Sequence, residues 1–238
     1  MEAAINRESG SDRFVIFNAD DLGASTGINR GILECHREGV VTSASLMVTG
    51  RAVQEAVSLC RDLPSLSVGL HFDVCGEDER KFDLNDFQAV RAEFHGQLDQ
   101  FHSLMERMPT HVDSHRHVHR LKNLMPLFRE WVSPLGIPLR DDGAVRFVGG
   151  FYAQWEWQVT DLEYVSPPFL QKLLQDEATP GWTEFSCHPG YASWDFSSVY
   201  LGERETELQT LKDRRIRQKI EELDIRLVNY QDYRAWMK

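Results

Sequence analysis

The amino-acid sequence predicts an α/β fold, a distorted (β/α) barrel. Short apolar runs rich in β-branched and aromatic residues alternate with amphipathic helical segments, a pattern typical of a mainly parallel sheet. We count about seven such units, fewer than the eight of a regular barrel. The chain has 238 residues, enough for one sizeable core, so we expect a single domain over residues 1–238, with residues 1–12 as a flexible N-terminal tail.

In the first half of the chain each predicted strand is followed by an apolar stripe at helical spacing. Residues 14–17 form a buried first strand because the run is continuously apolar and ends at Asn18 and an acidic pair. Gly39 is suited to cap the first helix, and Pro64 ends the second helix before the third strand. We expect strands at residues 14–17, 40–48, 67–72 and 110–114, and helices at residues 27–37, 51–61 and 86–107.

The second half follows the same alternation less clearly. Residues 121–131 and 169–175 have helical spacing, and residues 203–223 predict one long charged helix. Residues 141–168 have weak periodicity, so no element is predicted there. Short strands are expected at residues 137–140, 183–187 and 225–228.

Composition and charge exclude several classes of function. Hydrophobic residues make up 42% of the chain and charged residues 26%, as in ordinary globular proteins. The net charge of -11 opposes affinity for nucleic acid or for an anionic membrane surface, so we expect neither partner. No apolar run approaches the roughly 20 residues of a membrane-spanning helix, so we expect a cytoplasmic protein without integral membrane association. The chain has four widely spaced cysteines, which we expect to be reduced: Cys35, Cys60, Cys75 and Cys187.

Polar residues follow four of the predicted strands at their C-terminal ends, where parallel α/β folds gather catalytic groups. In a barrel these four ends lie on one rim. The residues concerned are Asp20 and Asp21 after the first strand, His71 at the end of the third, His115 after the fourth and His188 after the late strand.

Two patterns within these strand ends favour a metal site. Adjacent aspartates are costly to place together unless a cation or a shared proton relieves their repulsion, although one of them could instead cap the following helix. Imidazole nitrogen and carboxylate oxygen form the ligand set of Zn²⁺ and related ions. Alternate residues from 111 to 119 would share one face of an extended segment, although they cannot all be ligands. These residues are His111, Asp113, His115, His117 and His119.

Six short motifs occur in order over most of the chain: NADDLG at 18–23, VTSASLMV at 41–48, GLHF at 69–72, PTHVDSHRHVH at 109–119, PLR at 138–140 and CHPG at 187–190. Together they resemble the YdjC-like carbohydrate deacetylases, a family that includes chitooligosaccharide deacetylases and hopanoid-biosynthesis deacetylases. The resemblance implies one divalent metal ion, magnesium or zinc, and a barrel distantly similar to the polysaccharide deacetylases. It also implies removal of N-acetyl groups from an acetylated sugar or glycoconjugate.

Carried over by position, the resemblance makes Asp21, His71 and His115 the metal ligands. Asp20 becomes the general base and His188 the general acid. An Asp-His-His set leaves coordination positions for water and for an acetamide oxygen, so this division suits the chemistry. If the late strand lies beside the first strand, His188 reaches the same rim as Asp20.

The remaining polar residues of these motifs are expected behind the ligands or against the substrate. Asp113 would orient a histidine and Arg140 would orient the base, with a strand-end hydrogen bond and a surface ion pair as the respective structural alternatives. His117 and His119 are expected to support the ligands or to contact substrate.

Two features leave the substrate open. The loop at residues 73–86 is short and acidic, where relatives carry a longer loop over the site. An aromatic group could stack on sugar rings, although large aromatic residues more often belong to the core. Its members are Phe151, Tyr152, Trp155 and Trp157.

Two other functions compete with deacetylation. An amidohydrolase-type metal hydrolase is disfavoured because its first strand usually carries a His-x-His pair, whereas here that strand ends in two aspartates. A sugar-binding or metal-binding barrel without turnover is disfavoured because Asp20 and His188 accompany the ligand set. A homodimer is compatible with the sequence, which does not specify the oligomeric state.

Overall fold

The computed structural model describes residues 12–76, 82–156 and 158–237. Residues 1–11 of the predicted tail and residues 77–81 of the acidic loop lie outside this description. The described strands form one parallel sheet. They are β1 (Arg13–Leu22), β2 (Ser43–Leu46), β3 (Ser67–Phe72), β4 (Val112–Ser114), β5 (Arg146–Val148), β6 (Gly181–Cys187) and β7 (Ile225–Leu227). The sheet order is β4-β3-β2-β1-β6-β5, and β7 pairs with the first residues of β1.

The sheet is strongly curled. In the sheet order β3, β2 and β1 separate β4 from β6, so a flat sheet at ~4.8 Å per strand would place the two about 19 Å apart. Yet Asp113 of β4 and Glu184 of β6 both contact the guanidinium of Arg140, at 2.7 and 2.6 Å. The strands therefore wrap into a half-barrel around a buried polar layer, which confirms the predicted distorted (β/α) barrel.

Eight α-helices accompany the strands in the described residues. They are α1 (Thr26–Glu38), α2 (Val53–Arg61), α3 (Phe87–Met105), α4 (Met125–Val132), α5 (Pro167–Glu177), α6 (Gly202–Lys212), α7 (Arg214–Glu222) and α8 (Tyr230–Trp236). Capping side chains set several starts. The Ser25 hydroxyl accepts a hydrogen bond from the Ile28 amide at 3.1 Å, and Asn229 forms a reciprocal capping box with Asp232. In the described part of the chain, no helix combines the length and the apolar character that a membrane crossing requires.

A small apolar cluster lies at the N-terminal ends of β1 and β6. Phe14 and Trp182 stack there with ring centroids 4.8 Å apart, and Tyr233 of α8 packs edge-on against Trp182 at 5.1 Å. Burial of such rings stabilises the fold by roughly 1.5–3 kcal/mol each. The last helix therefore covers the end of the half-barrel opposite the carboxyl ends of the strands.

Most predicted elements are present within a few residues of their expected positions. The late strand lies beside the first as expected, because β6 pairs with β1 from Arg13 opposite Gly181 to Ala19 opposite Cys187. This pairing brings the residue after β6, His188, to the rim that carries Asp20.

The single long helix predicted at residues 203–223 is wrong. The chain forms α6 and α7 instead, separated by Asp213 in an extended conformation with φ -66° and ψ 128°. The Asp213 carboxylate accepts a hydrogen bond from the Arg215 amide at 2.8 Å and so caps α7. Aspartate competes for backbone amides in this way, and helical spacing on both sides of it conceals the break in the sequence.

The strand predicted at residues 137–140 is also wrong. Leu139 forms only an isolated bridge to Val112. The fifth strand is β5, which lies within the segment that has weak periodicity and pairs with β6. At three residues, β5 is too short to produce a periodic signal.

The fourth strand ends at Ser114, so residues 111–119 do not form the continuous extended segment that their alternation predicts. After β4, residues His115–Arg120 form a tight 3₁₀ turn in which Arg116 and His117 have φ values of 51° and 52°. The Ser114 hydroxyl accepts a hydrogen bond from the His119 amide at 3.0 Å and thereby turns the chain back. The prediction that the alternate residues share one face is therefore wrong beyond Ser114.

Candidate active site

A buried arginine organises the polar layer inside the half-barrel. Arg140 is 1% exposed, and its Nη1 and Nη2 atoms donate to the two oxygens of Asp20, both at 2.7 Å. Nη2 also lies 2.7 Å from Asp113 Oδ2, and Nε donates to Glu184 Oε1 at 2.9 Å. Burial opposes the charge, but the three carboxylates raise the Arg140 pKa well above its ordinary value. The guanidinium is therefore a fixed positive charge beneath the rim.

His71 lies between two aspartates. Its Nδ1 is 2.7 Å from Asp113 Oδ1, and its Nε2 is 3.2 Å from Asp21 Oδ1. Asp21 has φ 68°, a left-handed conformation, and its Oδ2 accepts a hydrogen bond from Arg204 at 2.6 Å. Its buried Oδ1 makes no well-aligned hydrogen bond among the described residues, although His71 Nε2 lies close to it. An imidazole nitrogen and a carboxylate oxygen thus converge on one point.

His115 reaches the same region from the turn after β4. Its ring centroid is 5.9 Å from that of His71, and its Nδ1 lies 3.1 Å from Asp73 Oδ1. Burial works to raise the Asp73 pKa, but the hydrogen bond with His115 and two backbone amides lower it to about 2. Both His71 and His115 therefore place Nδ1 against a carboxylate, an arrangement that sets the orientation of metal-binding imidazoles.

His188, the residue after β6, lies close to Asp20 and to Glu207. Its Nε2 is 3.8 Å from Asp20 Oδ2 and its Nδ1 is 3.8 Å from Glu207 Oε1, while its backbone amide donates to Glu207 Oε2. Burial lowers the His188 pKa to about 4 and raises the Glu207 pKa to about 8. The rings of Tyr152 and Tyr200 pack edge-on against the imidazole at 5.4 and 5.9 Å and limit its rotation.

The other histidines of the long motif do not converge on this point. His119 bonds through its ring to the Ser114 hydroxyl at 2.6 Å and to the Arg140 carbonyl at 3.2 Å, so it steadies the backbone that carries Arg140. His117 lines the cavity against the Phe147 ring. His111 lies deeper, and burial lowers its pKa to about 3, so it is neutral. Among them, only His117 is placed to contact a substrate.

The rim opens into a cavity of about 940 Å³. Asp20, Asp21, His71, His115 and His188 all line it, so the residues predicted as ligands, base and acid share one cavity. The volume is within the range of small-molecule sites, about 300–1,000 Å³.

The predicted aromatic group divides between the cavity wall and the core. Tyr152 and Trp155 line the cavity, where Trp155 is 59% exposed. Phe151 is buried in the core. Trp157 lies outside the described residues. Only Tyr152 and Trp155 are thus placed to offer a flat face to a sugar ring.

Residues 14–222 match the family model described as YdjC-like protein. The chain belongs to this family. A carbohydrate deacetylase from Clostridium beijerinckii is 31% identical to this YdjC-like protein, over 92% of the chain and 99% of the relative. A chitooligosaccharide deacetylase from Proteus mirabilis is also 31% identical, over 92% of the chain and 98% of the relative.

Solved structures show the same fold. A protein from Enterococcus faecalis described as a candidate cellobiose-phosphate cleavage protein has a TM-score of 0.76 at 24% identity, over 93% of this chain and 98% of its own. A polysaccharide deacetylase from Bacillus cereus has a TM-score of 0.60 at 12% identity, over 92% of both chains. At these identities the likeness concerns the fold alone, and it agrees with the expected distant similarity to polysaccharide deacetylases.

The donor chemistry of the YdjC-like site fits a divalent cation. Six buried carboxylates lie at or beneath the rim, and burial raises the pKa of two of them, Glu184 and Glu207, whereas the buried guanidinium groups there are those of Arg140 and Arg204. Such an excess of buried negative charge is costly unless protons or a cation offset it. The carboxylates belong to Asp20, Asp21, Asp73, Asp113, Glu184 and Glu207.

Two donor sets could hold the ion. Ligand atoms of Asp20, His71 and Asp113 lie within 4.8 Å of one another. However, Arg140 contacts both of these aspartates at 2.7 Å, and a guanidinium beside the ion would repel it. The alternative set combines His71 and its 3.2 Å neighbour Asp21 with His115. This second set has no contact with Arg140, and the one guanidinium on it, Arg204, binds Asp21 Oδ2 at 2.6 Å rather than the Oδ1 atom that lies beside His71.

Sequence reasoning missed the groups that hold the site residues in place. Asp73 orients His115, Arg204 holds Asp21, and Glu207 contacts His188. A signal existed for one pair, because Arg204 and Glu207 are three residues apart and therefore share a helix face. Glu184 also stands out as the one charged residue of a buried strand, β6. Asp73 directly follows β3, whereas Arg204 and Glu207 lie in α6 and Glu184 lies within β6, away from the strand ends.

Proposed function

We propose that this chain hydrolyses the acetamide group of an N-acetylated sugar with the help of one divalent metal ion. The observation that carries the proposal is the convergence of Asp21 Oδ1 and His71 Nε2, 3.2 Å apart, on a cavity that Asp20 and His188 also line. The relatives named as carbohydrate and chitooligosaccharide deacetylases support the same reaction.

The ligands in this proposal are Asp21, His71 and His115. Each histidine already has its Nδ1 against a carboxylate, which leaves Nε2 as the ligating atom. The Asp21 Oδ1 atom makes no well-aligned hydrogen bond among the described residues and lies 3.2 Å from His71 Nε2. When bound, the ion would polarise the acetamide carbonyl and lower the pKa of the attacking water.

Asp20 is proposed as the general base. Arg140 contacts both of its oxygens, so the carboxylate has one orientation and stays ionised. Asp20 then takes a proton from the water that attacks the acetyl carbon, and Arg140 remains paired with it throughout. A positioned base of this kind is worth about 10²–10⁴-fold in rate.

His188 is proposed as the general acid. Its Nε2 is 3.8 Å from Asp20 Oδ2, so a proton taken from water can pass across the site to the departing amine. Burial lowers the His188 pKa to about 4, so the imidazole is neutral at rest and is a strong acid once it has received that proton. Glu207 holds its backbone. The water oxygen becomes part of the acetate that is released when the C–N bond breaks, and the sugar retains a free amine.

The cavity supports an uncharged ring substrate. Tyr152 and Trp155 provide aromatic faces, and His117 and Gln154 provide polar groups at the wall. Such a mixture of flat apolar surface and a few polar groups suits a sugar.

Acetate release tests the proposed function. The chain, stripped of metal with a chelator, is incubated with N-acetylglucosamine and its oligomers, with zinc or magnesium added back. We expect acetate and free amine only when metal is present. A protein that binds these sugars and metals without releasing acetate would instead be a binding barrel without turnover.

A further inference from the structure

Tyr230 lies beneath the polar layer, on the side away from the cavity. It is the first residue of α8, is fully buried, and follows residues 14–222 that match the family. Its ring stacks on His111 with centroids 3.9 Å apart and planes 19° apart. Its hydroxyl donates a hydrogen bond to Glu184 Oε2 at 2.6 Å. One side chain of the last helix therefore contacts both β6 and the residue before β4.

Glu184 relays this contact toward Asp20. Its Oε1 accepts hydrogen bonds from Arg140 Nε at 2.9 Å and from Nη2 at 2.6 Å. Nη1 and Nη2 of Arg140 in turn donate to the two oxygens of Asp20. The connection thus runs from Tyr230 through Glu184 and Arg140 to Asp20, and none of these four residues is more than 2% exposed.

Three carboxylates share the Arg140 guanidinium, so a change at one of them affects the other two. Asp20, Asp113 and Glu184 all bind Arg140, so its angle depends on how firmly each carboxylate holds it. Burial raises the pKa of Glu184, while the Arg140 guanidinium and, to a smaller extent, the Tyr230 hydrogen bond act to lower it. The Tyr230 hydroxyl orients the Glu184 carboxyl group against Nε and Nη2 of Arg140, and this contact helps to set the direction in which the guanidinium meets Asp20.

We propose that Tyr230 is a positioning residue for the general base Asp20, acting through Glu184 and Arg140. The inference rests on the proposed function, because it assigns Tyr230 a role in the reaction that Asp20 performs. Removal of the Tyr230 hydroxyl loosens the grip on Arg140 and lets the Asp20 carboxylate drift from its reactive orientation. Small displacements of a catalytic group lower kcat while leaving substrate binding intact.

The test begins with Tyr230→Phe, which keeps the ring stacked on His111 and removes only the hydroxyl. We expect kcat to fall about 10-fold, the usual scale for partners that orient a catalytic group. KM and metal content should stay unchanged, since Tyr230 touches neither the cavity nor the proposed ligands. Tyr233→Phe is the matched control, because Tyr233 is a buried tyrosine one turn later that packs on Trp182. The control should keep full kcat.

A double-mutant cycle separates positioning from general stabilisation. Glu184→Gln interrupts the same path, so adding Tyr230→Phe to it should slow turnover by less than about 2-fold more. If the fold-loss of kcat in the double variant equals the product of the losses in the two single variants, the two residues act independently and the proposal is overturned. A loss of kcat shared by Tyr233→Phe would do the same, because it would reflect helix packing. If Tyr230→Phe does not fold, Glu184→Gln alone decides: lower kcat at unchanged KM supports the proposal, and unchanged kcat overturns it.

The unmodified chain distinguishes this inference from the proposed function. If it releases no acetate with any metal tested, the proposed function fails and the role of Tyr230 fails with it. If it is active and Tyr230→Phe is equally active, only the role of Tyr230 is overturned.

Discussion

Arg140 grips Asp20 through two separate nitrogens, Nη1 to Oδ2 and Nη2 to Oδ1, both at 2.7 Å. The paired geometry fixes the plane of the carboxylate as well as its position. Asp21, the next residue, is held by a different arginine, Arg204, at 2.6 Å. Two neighbouring aspartates therefore have different partners, which is the physical basis for assigning them different roles.

The first prediction separates the two aspartates. Asp20→Asn should leave metal content nearly unchanged while lowering turnover by about 10²–10⁴-fold, the usual contribution of a positioned base. Asp21→Asn should lose the metal, since it removes a ligand. Metal content by elemental analysis and acetate release from the same preparations provide the measurement. If Asp20→Asn loses the metal and Asp21→Asn retains it, the two roles must be exchanged.

The second prediction concerns His188. His188→Ala should fold and bind metal normally but deacetylate about 10²–10⁴-fold more slowly, with less loss on substrates whose leaving amine is a weak base. The reason is that a weakly basic amine departs with less help from an acid. Rates are measured on acetamides of graded amine basicity, with His95→Ala on the exposed face of α3 as the control. Equal losses across the series would argue against an acid role.

The third prediction concerns the pH dependence of stability. Burial raises the Glu207 pKa to about 8, above its ordinary value of 4.5. The folded chain then holds this proton more tightly than the unfolded chain, so the stabilising contribution is complete below the unfolded pKa and is lost as the pH rises through about 8. Urea unfolding of the unmodified chain and Glu207→Gln is compared from about pH 5 to about pH 8.

The quantity to follow is the difference in unfolding free energy between the two proteins. The advantage of the unmodified chain over Glu207→Gln should shrink as the pH rises, because glutamine does not titrate. A difference that stays constant, or grows with pH, would show that Glu207 is already ionised in the folded protein.

The fourth prediction concerns Gly69 of the GLHF motif. A Cβ at this position would lie 2.4 Å from the nearest atom of the His111 ring. Gly69→Ala should therefore destabilise the fold by about 1–3 kcal/mol, because the ring must move within a packed interior. Gly96→Ala in α3 is the matched control, since its Cβ would meet nothing within 4 Å. That variant should gain about 0.5–1 kcal/mol. Denaturant unfolding that shifted both variants equally would contradict this explanation.

The sequence predicted the convergence at the rim because parallel strands in one curled sheet end on the same side. Asp20, Asp21 and His71 lie near the C-terminal ends of β1 and β3, and His188 directly follows β6, so their shared cavity needed no knowledge of side-chain contacts. The pairing of β6 with β1 was expected and is present. Their chemical roles remain predictions.

The region after β4 could not be predicted from alternation. The Ser114 hydroxyl bonds the amide and ring of His119, and this local competition replaces an extended strand with a tight turn. As a result His119 supports Arg140 rather than the cavity. The break at Asp213 has the same origin, because a side-chain carboxylate captures a backbone amide.

By itself the sequence determined the alternation of strands and helices, the family, and the positions of the polar residues at the strand ends. Only the tertiary structure decided the partners of those residues: Asp73 for His115, Arg204 for Asp21, and Tyr230 through Glu184 for Arg140. These contacts join segments from 42 to 183 residues apart. They form because curling of the sheet brings distant strands around one buried layer, where each charge must find a partner.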